Sequence, residues 1–489
     1  MALFRRCALA AGFVFAGGLL SLRGVAQTNE TPRDVFLAEP YLQLGAQPKV
    51  GSNGALALLW HTEDVDAAWR VELKPVEAAQ WSDAGRITLR RIVMGGVEPH
   101  RVYRCSLSKL KSGEEFDYRV LRDGREVFQA RARARKPADQ PYRFAVLGDS
   151  GAGTLSQSAV ALQIYRAKPD FVLTVGDIVY SSGRISEYRK KFFPVYNAGE
   201  ASISTGAPLM RSTLFIAAPG NHDFNGRNLG RFSDGLAYFF YWDQPLNGPL
   251  HQAGEPNAPA LEGPPENQEA FLKAAGSTFP RMANFSFDYG NSHWVVLDSN
   301  RYVDWTGLQL RAWLSKDLAA ARGARWRFVA FHHPPFHSSH AHANDQWMRV
   351  LADVFEAGGV DLVFAGHVHN YERSVPLRFT PQPGEDGALV ARNGRVDGQF
   401  QLDRHYDGKT RTKPNGVIYL VTGAGGARLY DPEQQDNRLS WQEFTTQFFS
   451  NQHSFTQVDA GDQQLIVTQV AEDGGTLDRF VVQKMIVPR

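Results

Sequence analysis

Two periodicities divide the chain. Trp69, Val71 and Leu73 step by two, as do Tyr103, Cys105 and Leu107, and Phe116, Tyr118 and Val120. A step of two puts alternate side chains on one face of a strand. Ala55 to Trp60 is an apolar run after the turn Ser52-Asn53-Gly54, and Arg122-Asp123-Gly124 marks another turn before Val127. Short strands with regular turns predict a β-sandwich over residues 35–137. Arg131 to Lys136 reads as a solvated edge strand and linker.

From Tyr142 the pattern changes. Apolar runs at Phe144–Leu147, Phe171–Val175, Leu214–Ala217, Phe328–Phe331, Val360–Ala365 and Val417–Val421 alternate with helical stripes. Val160, Ile164 and Ala167 form one stripe; Leu310, Trp313, Leu314 and Leu318 form another, opened by a Thr306/Gln309 capping box. A third carries Trp347, Val350, Leu351, Val354 and Phe355, with Asn344 as its cap. Strands alternating with helices predict an α/β architecture. Phe285–Asp288 and Trp294–Leu297 predict a hairpin about Gly290-Asn291, and Leu465–Val470 with Phe480–Val482 predict closing strands. Residues 225–282 and 374–414, rich in Gly, Pro and polar residues, read as long loops over the strand ends.

Composition changes this picture at one end. Arg5 and Arg6 precede an apolar run from Cys7 to Leu20, with small residues at Gly24 and Ala26. The run is shorter than the ~20 residues that span a bilayer, so residues 1–26 read as a signal peptide and the protein as secreted or periplasmic. Cleavage after Ala26 removes three arginines and no acid, taking the formal charge from +2 to −1. A near-neutral protein is not one that coats nucleic acid. Cleavage also leaves Cys105 as the single cysteine, so no internal disulfide forms.

Five short segments carry chemistry, each after an apolar run. They are Gly148-Asp149-Ser150-Gly151, Gly176-Asp177-Ile178-Val179-Tyr180, Gly220-Asn221-His222-Asp223, His332-His333-Pro334-Pro335-Phe336, and Gly366-His367-Val368-His369-Asn370-Tyr371-Glu372-Arg373. Ligands bind at the carboxyl ends of strands in open α/β sheets. Carboxylates with imidazoles suit iron, zinc or manganese, and two such ions about 3.5–4 Å apart are a known device for phosphate ester hydrolysis.

The five segments resemble the metallophosphoesterase signature. Gly-Asp-Ile-Val-Tyr and Gly-His-Val-His-Asn-Tyr-Glu-Arg make it similar to the purple acid phosphatases. The resemblance implies an α/β metallophosphoesterase domain over 141–489, two packed mixed β-sheets flanked by helices, behind a fibronectin type III-like sandwich at 35–137. It implies a first metal, Fe(III), held by Asp149, Asp177, Tyr180 and His369. Asp177 would bridge to a second, Fe(II), Zn(II) or Mn(II), held with Asn221, His332 and His367. His222 would touch phosphate. The reaction implied is hydrolysis of small phosphate monoesters by a metal-bound hydroxide.

Half of the 14 histidines lie between His332 and His369. Spacing to Pro334 favours His332 over His333 as the ligand. The resemblance implies a histidine some way beyond the metal-ligand histidine that protonates the leaving group, and His342, with His340 as runner-up, is the candidate; His337 reads as an exposed loop residue. His61, His100, His251, His293, His405 and His453 read as structural or surface residues. Arg373 is expected to pair with a carboxylate, and Phe239 to Trp242 line either a cleft or a buried plug. Two readings compete with the monoesterase: a phosphodiesterase or nucleotide-acting enzyme on the same centre, and an exported binding protein with an inactive site.

Overall fold

The computed structural model describes residues 35–49, 54–250 and 257–484. The signal peptide expected at 1–26, His251 and most of the 52–54 turn lie outside them. Two large sheets organise the chain. The first has ten strands in the order Thr476–Gln483, Gln464–Ala471, Ser454–Ala460, Tyr142–Leu147, Phe171–Val175, Leu214–Ala218, Ala38–Gln43, Leu56–Glu63, His100–Leu107 and Ile87–Ile92. The second has seven, in the order Phe285–Tyr289, Ser292–Val296, Trp326–Ala330, Leu362–Ala365, Ile418–Thr422, Tyr371–Ser374 and Thr445–Phe449.

The alternating stretch forms the expected strands. The last four strands of the ten-stranded sheet face a four-stranded sheet built from Trp69–Pro75, Ser82–Asp83, Glu115–Arg122 and Arg125–Arg133. Trp60 meets Trp69 across the gap with ring centroids 5.5 Å apart. The sandwich is continuous with the rest of the chain. Ala38–Gln43 pairs antiparallel with Leu56–Glu63 and parallel with Leu214–Ala218, where Gln43 sits opposite Phe215. One buried apolar core accordingly runs from Trp60 and Tyr118 through Phe144 and Phe171 to Trp294, Phe328 and Phe364.

Between the large sheets that core is largely aromatic: Phe144 stacks on Phe171 at 5.2 Å and meets the edge of Trp294 at 4.9 Å. Helices cover the outer faces. Leu155–Ala167 lies on the ten-stranded sheet, capped by Thr154, whose side chain accepts from Gln157 N. Leu308–Ala320 and Ala352–Ala357 pack on the seven-stranded sheet through Leu310, Leu314, Leu318 and Phe355. Four strands of each large sheet run parallel toward one common edge. Their carboxyl ends therefore converge.

Several local expectations are corrected. The Leu308–Ala320 helix starts from Gly307 without a side-chain cap, because the Thr306 hydroxyl donates instead to Asp304, 2.6 Å away. Asn344 caps nothing: a 3-10 turn, Trp347–Leu351, precedes the Ala352–Ala357 helix. The stretches read as loops hold structure, a helix at Pro265–Ala275 and a hairpin of Leu377–Gln382 with Asp397–Leu402. Within the basic run, Arg135 is 1% exposed and donates to the carbonyls of Gln47 and Pro48 and of Asp288. Phe239, Phe240, Tyr241 and Trp242 are a buried plug, part of the core under the ten-stranded sheet.

Candidate metal centre

All five motif segments sit at that common edge. Asp149 follows Tyr142–Leu147, Asp177 follows Phe171–Val175, and Asn221 follows Leu214–Ala218. His332 follows Trp326–Ala330 on the facing sheet, and His367 follows Leu362–Ala365. Glycine permits the approach. A Cβ on Gly176, whose φ is +89°, would lie 2.5 Å from His332 Nδ1, and one on Gly366 would lie 2.5 Å from Asp149 Oδ2. Asp149, Asp177 and His367 themselves hold left-handed backbone, with φ of 58°, 48° and 67°. Such conformations cost of order 1 kcal/mol or more each and concentrate at functional sites.

The side chains converge in two groups. Tyr180 Oη donates to Asp149 Oδ1 at 3.0 Å and lies 3.0 Å from His369 Nε2. His332 Nε2 lies 3.0 Å from Asn221 Oδ1 and 3.3 Å from Asp177 Oδ1, and His367 Nδ1 is 3.1 Å from the same Asn221 oxygen. Asp149, Asp177 and His332 offer ligand atoms within 4.8 Å of one another. The seven residues expected as ligands are thus brought together.

Each imidazole is oriented from behind. His332 Nδ1–H donates to Val175 O at 2.8 Å, and His369 Nδ1–H to Arg428 O at 2.6 Å. His367 is turned the other way, donating from Nε2 to Asp345 Oδ2 at 3.1 Å. These bonds fix the tautomers and leave His332 Nε2, His369 Nε2 and His367 Nδ1 with lone pairs aimed into the cluster.

The charge balance points the same way. Asp149 and Asp177 are fully buried, and among the described residues no lysine or arginine pairs with either. Burial opposes charge on Asp177, but His332 and its neighbours hold its carboxyl well below the usual range. Burial pulls His332 down, and Asp177 and Asp149 outweigh it, raising it to about 9. Burial and the carboxylates push the Tyr180 phenol well up, so a phenolate there requires a cation. Buried anions without such a partner cost several kcal/mol. The donor set fits a pair of cations.

Of the remaining expected residues, His222 donates from Nδ1 to Ser181 O at 2.7 Å, leaving Nε2 at 3.8 Å from Asp177 Oδ2 and partly open to solvent. His342 donates from Nδ1 to Asp345 Oδ2 at 2.9 Å, with its ring 4.1 Å from that of His367. His340 is exposed; its backbone N–H donates to Gln434 and its carbonyl accepts from Ala343. His333 is tied through Nδ1 to Ser299 Oγ, 2.9 Å, and lies between Trp347 and His367, with a ring nitrogen within 4.8 Å of those of His332 and His367. His337 is not on the surface: it is buried, neither ring nitrogen has a partner among the described residues, and burial pushes it down to about 3.

Three contributors escaped the sequence reading. Asp345 orients both His342 and His367 through one oxygen. Tyr430 stacks on His369 at 4.1 Å and 10°. Asp223 takes the N–H groups of Gly220 and Ile178, tying two motif loops; burial and Asp177 raise its carboxyl well above the usual range. Asp223 stood inside a quoted motif, whereas nothing in the sequence around Asp345 or Tyr430 marks either residue.

Comparison with known proteins agrees with this geometry. Residues 142–371 match the calcineurin-like phosphoesterase family. Purple acid phosphatase 23 of Arabidopsis thaliana is 28% identical over 297 residues, which cover 58% of this chain and 57% of that protein. Phosphoenolpyruvate phosphatase of Allium cepa is 28% identical over 283 residues, 56% of this chain and 50% of that protein. The chain thus spans little more than half the length of these relatives. Purple acid phosphatase PPD1 from yellow lupin seeds shares the fold, with a TM-score of 0.61 at 18% identity over 91% of this chain and 74% of that one. Residues 142–371 form a calcineurin-like phosphoesterase domain, and the chain is similar to purple acid phosphatases in sequence and in fold.

Proposed function

We propose that the protein hydrolyses small phosphate monoesters at a binuclear metal centre. One metal would be held by Asp149, Asp177, Tyr180 and His369, the other by Asp177, Asn221, His332 and His367. The supporting observation is the trio of imidazoles whose outer nitrogens are tied to Val175 O, Arg428 O and Asp345, so that their inner nitrogens meet two buried carboxylates. When bound, the metals would supply a nucleophile near neutral pH and neutralise charge on the phosphoryl oxygens. Tyr180 as phenolate favours Fe(III) at the first site; Asn221, a neutral donor, suits a divalent Fe, Zn or Mn ion at the second.

The chain's own groups would do the rest. His222, fixed through Nδ1, presents Nε2 to a phosphoryl oxygen. His342 donates from Nδ1 to the Asp345 carboxylate, which would fix the ring and turn Nε2 toward the leaving oxygen that has to be protonated. That pairing favours His342 over His340. Among the described residues no helix is long and apolar enough to cross a membrane. We further propose export by the leader at residues 1–26, and a division near residue 137 into sandwich and catalytic domains. Turnover of phenyl phosphate with retained metal tests the assignment. Near-normal kcat/KM in Asp177→Asn would overturn it.

A further inference from the structure

A cavity of about 440 Å³ lies beside the metal centre, between residues 301–306, Trp347 and Val350, and residues 388–390. Its first wall is the loop leaving the carboxyl end of Ser292–Val296. That strand is the parallel neighbour of Trp326–Ala330, which leads into His332. The cavity therefore lies at the same edge of the sheet as His332, beside the next strand end.

Trp347 lines the cavity and links it to the ligand cluster. Its ring is 4.8 Å from that of His333, which is 4.3 Å from that of His367. Its indole N–H donates to Ser299 O at 2.8 Å and fixes the plane. Toward the cavity, the guanidinium of Arg301 lies 5.1 Å from the same ring. Arg301 gives one hydrogen bond to the carbonyl of Arg392, 3.0 Å, and among the described residues no carboxylate pairs with it. The acid in the lining, Asp304, is already engaged by the N–H and hydroxyl of Thr306. Val350, Leu389 and Val390 supply apolar wall.

We infer that this cavity is a leaving-group subsite for a planar ring that bears a second anionic group. The inference rests on the phosphoesterase reading. A ring would lie along the apolar wall and its anion would meet the Arg301 guanidinium, while the ester phosphate occupies the metal centre. A small neutral leaving group would use neither feature. Most small ligand sites have this form, an apolar pocket of a few hundred Å³ with one or two placed charges.

The test compares 4-carboxyphenyl phosphate with phenyl phosphate on the full-length, metal-loaded protein and on its Arg301→Gln and Leu389→Glu variants. The charged hydrogen bond lost in Arg301→Gln, and the like charge set beside the anion in Leu389→Glu, should each lower the ratio of the two kcat/KM values about five- to tenfold. A calorimetric titration of the phosphate-saturated protein with 4-hydroxybenzoate reads the same subsite without turnover and should weaken by a similar factor. An unchanged ratio and unchanged 4-hydroxybenzoate binding in either variant would overturn the subsite. Absence of turnover on both esters in the parent protein would instead sink the phosphoesterase reading and leave the calorimetric result to decide the subsite.

Discussion

The molecule buries charge in two ways. Between the two large sheets, Arg373 of Tyr371–Ser374 pairs at 2.6 Å with Asp478 of the closing strand Thr476–Gln483, each 6% exposed, and the Tyr371 hydroxyl also donates to Asp478. Asp361 pairs with Lys484 at 2.6 Å in the same manner. These groups balance themselves. At the catalytic edge Asp149 and Asp177 are at least as buried but face only imidazole, amide and phenol. The difference separates a structural polar cluster from one built to receive something. The first is complete without a ligand, whereas in the second no lysine or arginine among the described residues meets the buried carboxylates, and imidazoles able to bind a metal stand in their place.

Asp177→Asn breaks the contrast most sharply. Phenyl phosphate kcat/KM should fall by at least about 10²–10³-fold, with loss of metal read by elemental analysis. Asp478→Asn should do the reverse. It strands Arg373 in the core and should destabilise by about 3–5 kcal/mol in urea denaturation, while the folded fraction keeps its specific activity.

His293 sharpens the comparison through pH. It lies between Asp288 and Asp317, with contacts of 2.7 and 2.8 Å. Burial opposes its charge, but the two carboxylates overcome this and raise it to about 9. Its folded value exceeds the unfolded one, so its contribution is complete below pH ~6.5 and is lost as pH rises through ~9. That contribution is roughly 2–3 kcal/mol. The stability gap between the parent and His293→Gln should therefore close between pH 6 and 9.5, and a pH-independent gap would rule the account out. The smallest effect is expected from Asp345→Asn. It keeps the shape but weakens the orientation of His367 and should cost about 10–100-fold in metal affinity or turnover.

The strand-end motifs were legible because the signal is local: an apolar run, a glycine, then a donor, with sheet geometry supplying the convergence. Asp345 was not legible, because its role depends on a loop that returns to His367 from 22 positions away. His337 and Arg135 failed for a related reason. Neighbouring polar residues suggest exposure, whereas tertiary packing buries both side chains. Asn344 and Thr306 have cap chemistry but no cap role, since nearby segments took over their hydrogen bonds or reset the helix start.

The continuous ten-stranded sheet has a practical consequence. Ala38–Gln43 covers one side of Leu214–Ala218, the strand that leads to Asn221. Excising the sandwich to obtain a minimal enzyme would turn that strand, buried along its whole length, into an open edge. Unpaired apolar edges recruit other chains. A truncated preparation is therefore a candidate for self-association, and a poor starting point for engineering.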